Sequence, residues 1–257
     1  MSDLRKAAAG THEHHSSRGW RGLFVTGTDT EVGKTFVTAA IAAALRQDGL
    51  DVGLWKPVQS GAPHGSADSD AHRLQRWSGV DDPPERIAPF SFEAPLAPCL
   101  AAREAGVELT LERLIAGGRP LMERHDALLV EGAGGLAAPL TAQELVVDMI
   151  NELGMPVLIV ARPGLGTVNH TLLTLAMLRQ RRIPVVGVVL NDVIPTSPGL
   201  DPSRPVNGEL IARYGNIPVL GRFPYLAGRP DGNQLLHEAA RHIDLASIRA
   251  ALRHQRD

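Results

Sequence analysis

The stretch "FVTGTDTEVGKTFVT", Phe24 to Thr38, decides the fold. An apolar run opens it, glycines and small polar residues fill its middle, and a helix-forming run follows. It closes on Gly33-Lys34-Thr35, the end of a phosphate-binding loop. Five residues separate Gly27 from Gly33, where the usual G-x-x-x-x-G-K-[ST] pattern has four. A chance tripeptide is the competing reading, and the strand before and amphipathic helix after argue against it. A helix starting at Lys34 would aim its unpaired first-turn amides at whatever the loop cradles, an arrangement that attracts phosphate. Lys34 would then reach the β- and γ-phosphates, and the Thr35 hydroxyl would ligate Mg²⁺.

Outward from this loop, short apolar runs alternate with helical stretches. Strands are expected at 21–26, 51–55, 126–131, 156–161, 184–190 and 217–220. They are rich in Val, Leu and Ile without polar alternation, as strands buried on both faces of a parallel sheet are. Helices are expected at 34–48, 69–78, 109–124, 143–153, 167–181, 206–214 and 233–253. This order predicts an α/β fold: a mostly parallel sheet with helices on both faces, of the P-loop NTPase kind. The Pro-rich stretches 81–98 and 195–205 read as surface loops, because the βα pattern resumes after each. Residues 1–19 read as a flexible tail and 20–257 as one domain. The tail's His12, His14 and His15 are either a metal-binding tract or incidental.

Bulk properties exclude several classes. The chain has 257 residues, enough for a substantial core. A formal net charge of -2 gives no electrostatic case for nucleic acid or an anionic membrane. The longest apolar runs, "PVLIVA" and "PVVGVVL", are too short to span a bilayer. A lone cysteine, Cys99, makes no disulfide within the chain and fits a reducing, cytoplasmic setting.

In open parallel sheets, ligands sit beyond the carboxyl ends of the strands. After the second strand comes "KPVQSG", Lys56 to Gly61. Lys56 is either a second ammonium for a transferring phosphoryl group or a surface lysine before a turn. In "SADSDAH", Asp70 is either an N-cap or a magnesium ligand, and Asp68 fits either task. After the third strand, Glu131 stands where nucleotide hydrolases carry a metal-holding carboxylate. Buried unpaired it would be costly, so it needs a cation or donors. Gly132, Gly134 and Gly135 would let backbone approach a ligand closely. Gly164 and Gly166 lead into a helix whose first amides form a second anion site, unless Thr167 simply caps it. Asn191 and Asp192 follow the fifth strand. The asparagine offers a donor and an acceptor to an adenine edge, and a plain turn is equally compatible. Beyond the sixth strand, "FPYL" would wall a base with Tyr225.

Taken together, "VTGTDTEVGKT", "KPVQSG", "DSDA", "LLVEGAGG", "VNH" and "ND" closely resemble the dethiobiotin synthetase family, over about residues 22–231. The resemblance implies an ATP- and Mg²⁺-dependent ligase of biotin biosynthesis. It would carboxylate 7,8-diaminopelargonic acid with CO2, phosphorylate the carbamate and close a ureido ring. It implies that Lys34 and the amides of Glu31, Val32, Gly33, Thr35 and Phe36 bind phosphates, and that Thr35, Asp70 and Glu131 hold Mg²⁺. Gly132, Ala133 and Gly134 would also line the ATP site. Lys34 and Lys56 would be catalytic, Lys56 meeting both carbamate and γ-phosphate, with Thr30 and Ser60 lining the diamine site. Asn191, Asp192, Pro224, Tyr225 and Leu226 would face the nucleotide base. Asp231 stands where the family tends to have Glu. The helix start at Gly166, Thr167, Val168 and Asn169 would receive the diamine's carboxylate across a homodimer interface. In this family the lengthened loop brings side chains to the second substrate as well as to ATP.

The chemistry accounts for such parts. A carbamate and a γ-phosphate repel: two unit charges 4 Å apart at an effective dielectric of 20 cost about 4 kcal/mol. Two lysines and Mg²⁺ would offset that. Two rivals share the fold. A cobyrinate-type amidoligase usually adds a glutamine-amidotransferase domain with a nucleophilic cysteine, and Cys99 in "APLAPCLAA" lacks a nucleophile elbow. A partitioning-type ATPase carries an additional lysine early in its loop, where this chain reads Thr28-Asp29-Thr30.

Overall fold

The computed structural model describes residues 20–63, 65–195, 201–228 and 230–253. The tail and its histidines, and part of the 195–205 stretch, lie outside the described residues. Six strands form one sheet: β1 (Gly22–Gly27), β2 (Val52–Trp55), β5 (Ala127–Gly135), β6 (Val157–Ala161), β7 (Val185–Asn191) and β8 (Val219–Phe223). Their order is β2-β5-β1-β6-β7-β8, and every pairing is parallel. β1, β2 and β6 are buried at every position. Successive residues feed opposite cores, as a pleated strand dictates. Leu23, Val25, Leu129, Leu158 and Val160 pack on one face. Phe24, Leu128, Val130, Val157 and Ile159 pack on the other. The first face is covered by α1 (Lys34–Gln47), α2 (Asp70–Ser78), α9 (Gly232–His242) and α10 (Leu245–Arg253). The second is covered by α5 (Leu111–Arg124), α6 (Val146–Leu153), α7 (Thr167–Gln180) and α8 (Asn207–Gly215).

Three sequence expectations need correction. The stretch 81–98 is not a plain loop. It holds a short helix α3 (Pro84–Ile87) and a strand β4 (Phe90–Phe92), and α4 (Pro98–Glu104) starts at its end. β4 pairs in parallel with β3 (Val58–Ser60), and Ile87, Ala88 and Phe92 are buried. Strands of three residues are too short to show a period, which hid them. The single helix expected at 233–253 is two. Ile243 turns extended, bridges Gly221, and passes the Asp244 amide to the Leu220 carbonyl at 2.7 Å. Asp244 then caps α10 by accepting from the Ser247 amide at 3.2 Å. Finally, β5 runs on through its glycines to Gly135, which pairs with Gly27.

β1 lies between β5 and β6, where the chain switches direction across the sheet. The crevice outside its carboxyl end is where such sheets receive ligands. Among the described residues, no helix is long and apolar enough to cross a membrane.

Candidate active site

The loop after β1 wraps back on itself before α1. Gly33 adopts φ 83°, and Glu31 adopts φ 55° although it is not glycine. A Cβ on Gly33 would stand 2.0 Å from the Asn191 Nδ2 atom. That contact reflects a strap: Asn191 donates through Nδ2 to the Val32 carbonyl at 2.9 Å. Asn191 is the last residue of β7 rather than part of a plain turn. Its Oδ1 is buried with no hydrogen-bond partner among the described residues, and Asn191 lines the cavity.

Lys34 and Lys56 are both buried. Lys34 donates to the Asp29 carbonyl at 3.1 Å. Burial, reinforced by the nearby Lys56 ammonium, pushes its pKa down to about 8. Lys56, just past β2, lies between two carboxylates. It donates to Glu131 Oε1 at 2.6 Å and makes a close contact with Asp70. Burial opposes its charge, but Glu131 and Asp70 outweigh that and raise its pKa. Asp70 feels the same balance: burial pushes it up, and the Lys56 ammonium overrides this to hold it below the usual carboxylate range. The Thr35 hydroxyl faces both carboxylates, 2.8 Å from Glu131 and 3.2 Å from Asp70. Glu131 is wholly buried at 0% exposure, which only a paired carboxylate tolerates. The N-cap alternative for Asp70 is resolved by its neighbour, because Ser69 caps α2 and Asp70 occupies the first helical position.

These groups line one cavity of about 780 Å³. Thr30, Glu31, Gly33, Lys34, Thr35, Phe36, Lys56, Ser60, Asp70, Glu131, Ala133, Gly134, Asn191, Asp192, Tyr225 and Leu226 all reach it. Other candidates stand apart from its lining. Val32 is buried behind the loop. Gly132 packs against the Phe24 ring, which a Cβ would meet at 2.8 Å. Pro224 is outside the lining. Asp231 caps α9, accepting from the Gln234 amide at 2.8 Å, and is outside the lining. Gly166, Thr167, Val168 and Asn169 stand at the start of α7, off this cavity. Thr167 makes no side-chain cap, and its hydroxyl is buried without a partner among the described residues.

The sequence reading missed several lining residues. Gln59 accepts from the Ala71 amide at 3.0 Å and donates to Ser91 at 2.8 Å, tying β3 and β4 to the helix that carries Asp70. Arg73 and Trp77 also line the cavity. Their spacing from Asp70, three and seven residues on, puts them on one helix face and was the available signal. Trp77 meets Phe36 edge-on at 5.6 Å, and Phe36 meets Phe223 at 5.2 Å, forming an aromatic wall.

Among the described residues, no group of three or more His, Cys, Asp or Glu side chains could hold a metal alone. Two carboxylates and a hydroxyl, with Glu131 Oε2 buried and unpartnered, are instead a partial set of hard oxygen donors. That set suits Mg²⁺, which keeps waters and takes its remaining ligands from substrate phosphates.

A lengthened glycine loop, two buried lysines and an acidic wall at the carboxyl end of a parallel sheet define a P-loop nucleotide-binding protein. A ParA family ATPase from Chlorobium tepidum has this fold, with a TM-score of 0.50 and 17% identity over 92% of this chain and 99% of its own. A family profile described as an AAA domain matches residues 21–229. The ATP-dependent dethiobiotin synthetase BioD of Anaeromyxobacter dehalogenans (strain 2CP-C) is 52% identical over 80% of this chain and 90% of its own. Its namesake in Bacillus cereus (strain B4264) is 41% identical over 88% and 93%. The chain belongs to the dethiobiotin synthetase family.

Proposed function

We propose that this chain makes dethiobiotin from 7,8-diaminopelargonic acid, CO2 and ATP with Mg²⁺, as the names of its relatives suggest. The observation that carries the reading is the convergence of Lys34, Lys56, Thr35, Asp70 and Glu131 on one cavity. One amine of the diamine adds to CO2 and loses a proton, giving a carbamate. A carbamate oxygen attacks the γ-phosphorus, and the bond to ADP breaks. The neighbouring amine attacks the carbamoyl carbon, phosphate leaves, and a second proton departs as the ring closes. No side-chain nucleophile is required, because holding the two amines together supplies effective concentration.

In this reading Lys34 and the loop amides hold the phosphates. Lys56, kept charged by its carboxylate neighbours, meets the carbamate and the γ-phosphate and offsets their repulsion. Thr35, Asp70 and Glu131 would hold Mg²⁺, which when bound neutralises phosphate charge. Thr30 and Ser60 line the diamine side, and Ser60 is fixed by donating to the Leu96 carbonyl at 2.8 Å. The Asn191 acceptor and Tyr225 support placing the base between β7 and β8. The start of α7 would serve a neighbouring protomer in a homodimer. Its position off this chain's own cavity supports that, as do the exposed Leu165 and Leu173 beside it.

Purified protein given ATP, Mg²⁺, bicarbonate and the diamine should release one ADP and one phosphate per dethiobiotin. ATP turnover that proceeds equally without the diamine would instead indicate a regulatory ATPase and overturn the reading. Trp77 supplies a binding signal, since Trp20 and Trp55, the remaining tryptophans, stack on each other with ring centroids 5.3 Å apart, off the cavity lining. ATP should change the intrinsic fluorescence saturably, and Trp77→Phe should abolish the response. A response that survives in Trp77→Phe would place the nucleotide elsewhere.

A further inference from the structure

Residues 201–207, after β7, have no part in the chemistry above, yet they tie two distant regions together. At one end Asp192, on the cavity wall, accepts two hydrogen bonds from Arg222, through Nε at 2.6 Å and an Nη at 3.0 Å. It also makes a close contact with Arg204. At the other end Asp201 Oδ2 accepts from the Leu165 amide at 2.8 Å. Asn207, buried at the start of α8, donates to the Pro163 carbonyl at 2.8 Å. Ser203 ties Asp201 to Asn207. Its hydroxyl donates to Asp201 Oδ1 at 2.6 Å and accepts from Asn207 at 3.0 Å. The Ser203 hydroxyl, followed by the Leu165 amide, holds the Asp201 carboxyl below the ordinary carboxylate range.

Residues 163–166 form the turn into α7. Gly166 adopts φ 91°, and the glycine at 164 sits so close that a Cβ would lie 3.0 Å from Asp201 Oδ2. The turn therefore takes its shape from polar contacts with 201–207 as well as from its own packing. We infer that Asp201, Ser203 and Asn207 are positioning residues that set the turn at 163–166, and with it the first amides of α7, for the carboxylate end of the diamine substrate. This rests on the function proposed above, in which the α7 start receives that carboxylate. The residues touch the turn and not the substrate. They act on how well the α7 amides are aimed, a property that governs substrate binding more than phosphoryl transfer in the cavity. Arg204 extends the same strut to the nucleotide wall through Asp192.

Asp201→Ala removes both acceptor oxygens. The Leu165 amide then loses its carboxylate acceptor, so the KM for the diamine should rise about tenfold or more. The KM for ATP and kcat should stay within about twofold, since Lys34, Lys56 and Glu131 are untouched. Asp201→Asn keeps one acceptor oxygen and should fall between. Should alanine at 201 fold poorly, Ser203→Ala cuts the strut at its middle and should shift the same constant in the same direction. An active wild type whose Asp201→Ala variant has an unchanged diamine KM overturns the strut alone. So does a variant in which ATP and diamine constants rise together with a lowered melting temperature. A wild type that forms no cyclic urea from the diamine overturns the function reading, and the inference with it.

Discussion

Lys56→Ala should lower kcat by about 10²–10³, the loss seen when one donor to a developing charge is removed. ATP affinity should change far less, because Lys34 and the loop amides are untouched. The same substitution should cost about 3–5 kcal/mol of stability, because it leaves a buried carboxylate without its cation. Glu131 is wholly buried and Asp70 shares the same ammonium, so both lose their principal partner. Typical domains are stable by about 5–15 kcal/mol, so the variant should still fold, with its midpoint moved well down in urea. Calorimetric titration with ATP beside steady-state rates separates the two effects. ATP affinity lost with the rate intact would overturn the role given to Lys56. An unchanged unfolding midpoint would show that the buried carboxylates do not depend on it.

Gly33→Ala should abolish ATP binding at concentrations that saturate the wild type. Two independent costs fall on this position. The left-handed conformation at φ 83° costs a residue with a Cβ about 1–2 kcal/mol. The methyl group would also lie 2.0 Å from Asn191 Nδ2, forcing that amide away from the Val32 carbonyl. The loop would lose its strap at the point where its amides turn toward phosphate. Equilibrium dialysis with ATP reads the first effect and thermal unfolding the second. An alanine variant that binds ATP with wild-type affinity would mean the loop reshapes freely, contrary to the crowding around Gly33.

The sheet and its phosphate loop were legible because their signals are local. Unalternated Val, Leu and Ile runs mark strands buried on both faces, and Gly-Lys-Thr marks the loop within one strand and one helix. Lys56, Asp70 and Glu131 drew notice because each follows a strand or opens a helix. Lys56 reaches Asp70 and Glu131 across 14 and 75 positions, and no local pattern records such contacts. β3 and β4 escaped notice because a three-residue strand depends on its partner rather than on its own pattern. The break at Ile243 went unread for a related reason: helix propensity yields there to a bridge with Gly221. Asn191 read as a base contact or a turn, and its bond to Val32, 159 positions away, emerges only in the fold.

The strand order sets the course of synthesis as well. Every group placed around the phosphates comes before residue 136, whereas β6, which closes the second edge of β1, comes after it. A nascent chain halted at that point on the ribosome would carry its full set of phosphate-handling side chains. It would also present an open edge of β1, a strand buried at every position of the folded chain, as a template for pairing with other chains. The half of the molecule richest in chemistry thus emerges first and depends on the later half for protection from aggregation.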